Sequence, residues 1–529
     1  MLPSYRRALT PGAVLVLALV LALLAGSQAA VAEQGSRQAR PTEAAKAAEA
    51  AERVRNTQPA EAYDPDAPNV VLITTDDQTL DDLRHMPITR KLIGSKGVTF
   101  TQALSPHPLC CPARAEILTG QYAQNNGVAT NGGEYGGYEA LRDPDRTLPS
   151  WLQAAGYETA MLGKFVNKYR PVTHGTPAGW SDFRVSSKDS FGYYDFSVYA
   201  NGERTDYDDG ETYSTTYVTD AGVDLIEGWT QPEVTGPEGE RRPFFIWASY
   251  YAPHGDCGEG KNCKVPPTPE EKYADAFADA RNPALDKRSY RAKLRNPNPV
   301  IKRNKKVDKA FTQGFYRDRI RSLQSVDDGV LRLVSALERT GELDDTLLLF
   351  TSDNGYLLGE HRYVGKVLAY EESVRVPLLM RGPGVRAGTT SDAMATTVDL
   401  ATTVAAAAGA TPQRRVDGRD LRVLATDRDP ADTVLVQAGN KPSDSADGRW
   451  MFRGVRTERW TYTKWKRAKG GLFQELFDLR KDPEQIKNLA EKRSHRKVVR
   501  DLRRRTVALA DCAGPNQCFR SFGATPKPR

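Results

Sequence analysis

Beyond the N-terminal region, large apolar residues run without a polar interruption at Val70-Val71-Leu72-Ile73, Phe244-Phe245-Ile246-Trp247-Ala248 and Leu347-Leu348-Leu349-Phe350, among other places. Such runs, flanked by turn residues, belong to strands covered on both faces, the usual state of a parallel sheet. Strands are therefore expected over 68–75, 244–249 and 346–352, and Val374-Arg375-Val376-Pro377 leads into another. From about residue 427 the pattern shortens: strands are expected over 433–437, 450–455, 459–465 and 474–479, and the alternation in Trp460-Thr461-Tyr462-Thr463-Lys464-Trp465 suits an antiparallel sheet. A basic helix over about 495–510 follows. At 529 residues the chain exceeds what one core normally serves, so two domains are expected: a catalytic α/β domain over 65–426 and a smaller α+β subdomain over 427–529. No internal repeat is visible.

The N-terminus adds an address. Arg6-Arg7, an apolar run from Ala13 to Ala25 and then Ala30-Val31-Ala32 have the three-part pattern of a secretory signal over 1–32. The run is shorter than the roughly 20 apolar residues that a bilayer needs, so stable membrane insertion after cleavage is not expected. Arg6-Arg7 fits either general or twin-arginine export. Residues 33–64, rich in Ala, Glu, Gln and Pro, read as a disordered linker. Export suits the cysteines: Cys257 with Cys263 and Cys512 with Cys518 are each close enough to form a small disulfide loop in an oxidising compartment. The formal charge of +7 is modest and permits an acidic ligand without demanding one.

Chemistry concentrates where the strands end. Asp76-Asp77 follow the first and Asp353-Asn354 a later one, and ligands of open α/β sheets collect at the carboxyl ends of strands. One Asp there is often only a helix cap, but paired carboxylates repel and want a cation or strong donors. Four oxygen-bearing side chains suit Ca²⁺ or Mg²⁺, whereas zinc would recruit His or Cys. A third feature is the stretch Pro108-Leu109-Cys110-Cys111-Pro112-Ala113-Arg114, followed by Leu118-Thr119-Gly120. Pro112 sits where a helix can begin, and Ala113 to Leu118 read as that helix. A cysteine just ahead of a helix N-terminus, with Arg114 four residues on, is placed to favour a thiolate or another oxyanion. A buried structural Cys pair is the plainer alternative.

The order Cys-x-Pro-x-Arg resembles the signature of the type I, formylglycine-dependent sulfatases. Cys-Cys-Pro-Ala-Arg continued by Gln121-Tyr122 and Asn125-Asn126-Gly127 is most similar to the N-acetylglucosamine-6-sulfatase and heparan 6-O-endosulfatase branch. Gly156-Tyr157 with Gly163-Lys164-Phe165-Val166-Asn167, Ala252-Pro253-His254, and Gly365-Lys366 with Tyr370-Glu371 match further motifs in the family's order. The resemblance spans about residues 69–490.

The resemblance implies an alkaline-phosphatase-like sandwich, with a large, mostly parallel sheet flanked by helices and a smaller C-terminal antiparallel sheet. It implies conversion of Cys110 to formylglycine by a formylglycine-generating enzyme, and a divalent cation, usually calcium, held by Asp76, Asp77, Asp353, Asn354 and the modified residue 110. Its hydrated aldehyde would attack the sulfate sulfur, with Arg114 and the cation raising its acidity. His254 would protonate the leaving alcohol, and Lys164 and Lys366 would hold sulfate charge. Asn167 replaces the histidine of the commoner Gly-Lys-Trp-His form, and His361 is a further substrate-binding candidate. The implied activity is hydrolysis of sulfate esters of a sulfated small molecule or glycan, outside the cytoplasm. Two rivals share the fold: a phosphodiester or phosphonate monoester hydrolase, and a catalytically silent glycan-binding protein. The basic segment 280–309 reads as a solvated face or mobile loop, with guidance of a polyanionic glycan as the alternative, and no nucleic-acid-binding motif is visible.

Overall fold

The computed structural model describes residues 64–529 apart from 65, 232–241, 259–262, 291, 293–295, 304–305, 427–428, 430, 440–448 and 467–471. The expected signal sequence, the linker up to residue 63 and parts of the basic 280–309 segment lie outside the described residues. Sixteen strands are numbered in chain order: β1 (Asn69–Thr75), β2 (Val98–Phe100), β3 (Glu158–Gly163), β4 (Asp182–Phe191), β5 (Phe196–Ala200), β6 (Glu203–Tyr207), β7 (Phe244–Ser249), β8 (Thr346–Ser352), β9 (Leu357–Leu358), β10 (Val364–Gly365), β11 (Leu378–Arg381), β12 (Thr389–Ser391), β13 (Val434–Gly439), β14 (Trp450–Arg456), β15 (Trp460–Lys466) and β16 (Leu472–Asp478). The helices used below are α1 (Cys110–Thr119), α2 (Leu148–Ala154), α3 (Ser214–Trp229), α4 (Lys309–Arg339), α5 (Asp399–Ala407) and α6 (Arg496–Ala510).

Ten strands form the main sheet in the order β12-β2-β11-β8-β1-β7-β3-β4-β5-β6. Its centre, β8-β1-β7-β3-β4, is parallel throughout, and antiparallel strands join at both sides. The unbroken apolar runs have the expected cause. In β1, Val70 and Leu72 enter one core and Val71 and Ile73 the other; β8 divides Leu347 and Leu349 from Leu348 and Phe350 in the same way. The first core receives α1, α2 and α5 through Ala115, Ile117, Trp151, Leu152, Leu400 and Val404. The second receives α3 and α4 through Val218, Leu225, Leu323, Val330 and Leu333. This is the expected α/β sandwich.

The C-terminal antiparallel sheet, β13-β14-β15-β16, lies where the alternating pattern predicted it. A third core joins it to the first half of the chain, with Leu104, Tyr122 and Val374 packed beside Val434, Val455, Tyr462, Val498 and Leu502. Disulfides link Cys257 to Cys263 and Cys512 to Cys518. No helix among the described residues is long and apolar enough to cross a membrane.

Candidate active site

Because β8, β1, β7 and β3 are adjacent and parallel, their carboxyl ends share one edge. That edge receives Asp76 and Asp77 from β1, Asp353 and Asn354 from β8, Lys164 from β3 and, five residues past β7, His254. Ladder bonds continue into the loops: Asp353 N–H donates to Thr75 O at 3.2 Å and Lys164 N–H to Ser249 O at 2.9 Å. Gly163, just before Lys164, has φ +88°, and a Cβ there would lie 2.2 Å from Ser249 O. Only glycine lets β3 pass β7 so closely and then turn.

Helix α1 begins earlier than the sequence reading placed it. Leu109, extended at φ −156° and ψ 134°, is the N-cap, and Cys110 is the first helical residue instead of lying just ahead of the helix. Pro112 takes the third position, where a missing N–H still costs no intrahelical bond. The Cys111 N–H donates to Asn131 Oδ1 at 3.0 Å. Gly120, at φ +62°, closes the helix.

Burial works against a thiolate at Cys110. Burial raises the Cys110 thiol to about 12 and Asp76 adds to the rise, against Lys164 and Lys366. Cys110 Sγ lies 3.5 Å from Asp76 Oδ1 and accepts from Lys366 Nζ at 2.7 Å. Lys366 also pairs with Asp77, and Lys164 with Asp76. Arg114, fully buried, donates to Asp353 Oδ2 at 2.9 Å, Asp76 Oδ2 at 3.2 Å, the Lys164 carbonyl at 2.6 Å and Ser249 Oγ at 2.5 Å. His254 Nε2 lies 3.7 Å from Asp77 Oδ2, while its Nδ1 faces Gly255 O at 2.8 Å and Tyr251 OH at 2.9 Å. Lys366 and His254 keep 12% and 13% of their side-chain surface, whereas the acids keep 0–2%, so solvent reaches the cluster past these two.

The carboxylates are crowded. Burial pushes Asp353 up to about 6, with Asp76 adding to the push. Burial also acts on Asp76, but Lys164, His254, Lys366 and Arg114 outweigh it and hold that carboxyl well below its usual range. Burial lowers His254 to about 4, with Lys164 adding to the drop. Asp77 adopts φ +69°, a left-handed conformation that Asp tolerates better than most non-glycine residues.

A hard divalent cation fits these residues. The donors of Asp76, Asp77, Asp353 and Asn354 are all oxygens, and ligand atoms of Asp76, Asp77, Cys110 and His254 lie within 4.8 Å of one another. Asn354 donates through Nδ2 to Asp77 Oδ1 at 2.6 Å and leaves its buried Oδ1 without a partner, an acceptor a cation would satisfy.

Two candidates are not brought into this group. His361 is fully buried and stacked on Tyr370, ring centroids 3.9 Å apart; its charged neighbours are Glu360, Lys287, Asp482 and Glu484. Asn167 lies beside Cys111, whose Sγ is 4.0 Å from the Asn167 carbonyl oxygen. Sequence reasoning missed Ser249, Asn131 and Arg319. Ser249 Oγ donates to the Lys164 carbonyl at 2.7 Å, and Arg319 donates to the Asp77 carbonyl at 2.5 Å and to Asp82 at 2.8 Å. Arg319 carried a signal, since it falls in α4 on the apolar stripe of Phe315, Leu323 and Val326. Ser249 carried none beyond its place at a strand end.

Residues 68–410 match the sulfatase family, and residues 359–511 match the family described as N-sulphoglucosamine sulphohydrolase, C-terminal. The chain belongs to the sulfatase family. Human N-acetylglucosamine-6-sulfatase is 34% identical over 360 residues, 65% of this chain and 61% of that one. The extracellular sulfatase SULF-1 homolog of Drosophila melanogaster is 32% identical over 67% of this chain and 31% of its own. An arylsulfatase of Chlamydomonas reinhardtii is 30% identical over 82% of this chain and 73% of its own. The chain thus spans about half the length of the curated relatives it matches. Among solved structures, BT4656 in complex with its substrate D-glucosamine-2-N,6-O-disulfate superposes with TM-score 0.68 at 22% identity, covering 83% of this chain and 97% of that one. The phosphonate monoester hydrolase of Silicibacter pomeroyi gives 0.60 at 21%, covering 83% and 94%. At those identities the superpositions show the alkaline-phosphatase-like fold alone.

Proposed function

We propose that this sulfatase-family protein is an exported sulfate-ester hydrolase acting on a sulfated sugar such as N-acetylglucosamine 6-sulfate. One observation carries the reading: the Cys110 side chain is enclosed by cations and carboxylates, 2.7 Å from Lys366 Nζ and 3.5 Å from Asp76 Oδ1, instead of lying among apolar groups. The enclosure suits an oxygen nucleophile better than a thiol held protonated.

Formylglycine formed from Cys110 would supply a hydrated aldehyde as nucleophile, and a Ca²⁺ held by Asp76, Asp77, Asp353, Asn354 and the modified residue 110 would supply positive charge there. The chain's own groups do the rest. Lys366 at the mouth of the cluster and Lys164 buried within it bring positive charge to where sulfate oxygens gain charge as the ester bond breaks. Arg114 ties Asp76 to Asp353 and keeps the two carboxylates from spreading apart. His254 relays a proton to the departing alcohol: with Nδ1–H donating to Gly255 O, Nε2 faces the cluster as a free base, takes up the proton that the attacking nucleophile releases and passes it to the alcohol. Asn167, next to Cys111, is the weakest contact to substrate, and His361 supports the site only from within the core.

The sugar is proposed from the relatives: the human one is named for N-acetylglucosamine 6-sulfate, and BT4656 was solved with a 6-O-sulfated glucosamine. Export is proposed from the leader-like residues 1–32 and from the fly relative named extracellular. Maturation then requires a formylglycine-generating enzyme as partner. The test pairs peptide mass spectrometry of the Cys110 segment from the secreting host with sulfate release from N-acetylglucosamine 6-sulfate. An aldehyde at residue 110 and sulfate release are expected. An intact thiol would favour a silent glycan-binding protein, and faster cleavage of a matched phosphonate or phosphate ester would favour the phosphoester rival.

A further inference from the structure

Two stretches of this protein are strongly basic: residues 280–309, with eleven Lys and Arg against two Asp, and the C-terminal one. Residues 487–529 hold twelve Lys and Arg against three Asp and Glu, a net of +9, while the whole chain is +7; everything before residue 487 is therefore slightly acidic. Helix α6 sorts this charge. Val498, Leu502, Arg505, Thr506 and Leu509 are buried, and the three apolar residues among them pack beside Val434, Val455 and Tyr462 of the C-terminal sheet. Arg496, Lys497, Arg500, Arg503 and Arg504 are exposed on the opposite side, and Lys492 and Arg493 extend the row ahead of the helix.

At three- and four-residue spacing the helical ones lie on one stripe, and positions 496 to 504 span roughly 12 Å at 1.5 Å per residue. Counter-charge is sparse. Asp501 lies in the same helix and binds Arg504 at 2.9 Å and Arg505 at 2.7 Å. Among the described residues, Arg496, Lys497, Arg500 and Arg503 form no ion pair. The chain's last residues enlarge the patch: Arg529 N–H donates to the Ser494 carbonyl at 3.0 Å, which brings exposed Arg529 beside Arg493.

Like charges at this spacing repel one another and oppose the helix. A row of unpaired guanidinium groups fits a polymer with regularly repeated anions, because each planar fork takes two oxygens of one tetrahedral or planar anion. We infer that the exposed face of α6 is an exosite for a sulfated glycan chain, holding the polymer while the cluster around Cys110 acts on one of its units. The choice of glycan rests on the proposed sulfate-ester reading of that cluster; the charge and its exposure do not. An anionic membrane fits less well, since the apolar face that would enter a bilayer is spent on the sheet.

The test uses the secreted full-length protein, immobilised heparin as a sulfated-glycan probe, and the variant Arg496→Gln/Lys497→Gln/Arg500→Gln/Arg503→Gln, which keeps good helix formers. The native protein is expected to be retained at about 0.1 M NaCl, with binding that weakens steeply as salt rises, and the variant to bind at least about tenfold more weakly. Turnover of N-acetylglucosamine 6-sulfate should be unchanged in the variant, while KM for a 6-sulfated polymer rises. Equal retention of both proteins would overturn the exosite, as would loss of retention only when Arg288, Lys302 and Lys306 are neutralised instead. Stronger, α6-dependent binding to vesicles of phosphatidylserine and phosphatidylcholine than to heparin would assign the face to membranes and also overturn it. Failure of the native protein to hydrolyse any sulfate ester, with heparin retention intact, would count against the proposed function and leave the α6 surface standing.

Discussion

Replacing His361 by Gln separates a buried structural histidine from a substrate contact. His361 is fully buried and stacked on Tyr370, and neither ring nitrogen has a hydrogen-bond partner. Burial lowers it to about 4, with Lys287 adding to the drop and Glu360, Asp482 and Glu484 opposing it. Because the folded value lies below the unfolded one, the unfolded chain binds the proton first. Stability is then present above about pH 6.5 and is lost as pH falls toward 4. With about 6.5 unfolded and about 4 folded, the linkage relation gives a loss of about 2 kcal/mol between pH 7.5 and pH 5. Urea unfolding of the native protein and of His361→Gln at those two pH values reads the difference. The variant is less stable at both, having lost the stacked ring, but its decline toward pH 5 should be shallower by about 2 kcal/mol. Parallel declines would refute the neutral buried state. A KM raised about tenfold in a variant that still folds would refute the structural role and return His361 to the substrate.

Cys110→Ser and Cys110→Ala should abolish sulfate-ester hydrolysis while thermal melting stays within a few degrees of the native protein, because position 110 supplies chemistry and little packing. Ser249→Ala removes a fully buried hydroxyl shared by Arg114 and the Lys164 carbonyl; about 1–2 kcal/mol of stability should be lost in thermal melts, with kcat falling and KM little changed. Gly163→Ala places a Cβ 2.2 Å from Ser249 O at φ +88°, and should cost about 2–4 kcal/mol, read by urea midpoint. Saturating Ca²⁺ at about a hundredfold its Kd should stabilise the protein by about 2.7 kcal/mol, and Asp77→Ala should abolish that gain in a calorimetric scan.

Much of this molecule was legible in its residues. The strands β1, β7 and β8 were marked by short apolar runs with no polar interruption, which suit a sheet covered on both faces. The carboxylates and lysines stood at the ends of those strands, and the parallel order β8-β1-β7-β3 brings them to one edge. What the residues could not state is which neighbour each group meets. A helix start and an arginine beside Cys110 in sequence favour a thiolate or another oxyanion there. Tertiary burial and Asp76, brought from 34 residues away, reverse that expectation. His361, close in sequence to Lys366, turns into the core on a backbone with φ +54° while Lys366 turns to the cluster, a divergence that local spacing does not encode. Ser249 matters only through the Arg114 and Lys164 atoms that the fold sets beside it. Strands and motifs follow from local pattern, whereas proton affinities and hydrogen-bond partners depend on desolvation and on charges distant in the chain, and these exist only once the sheet has assembled.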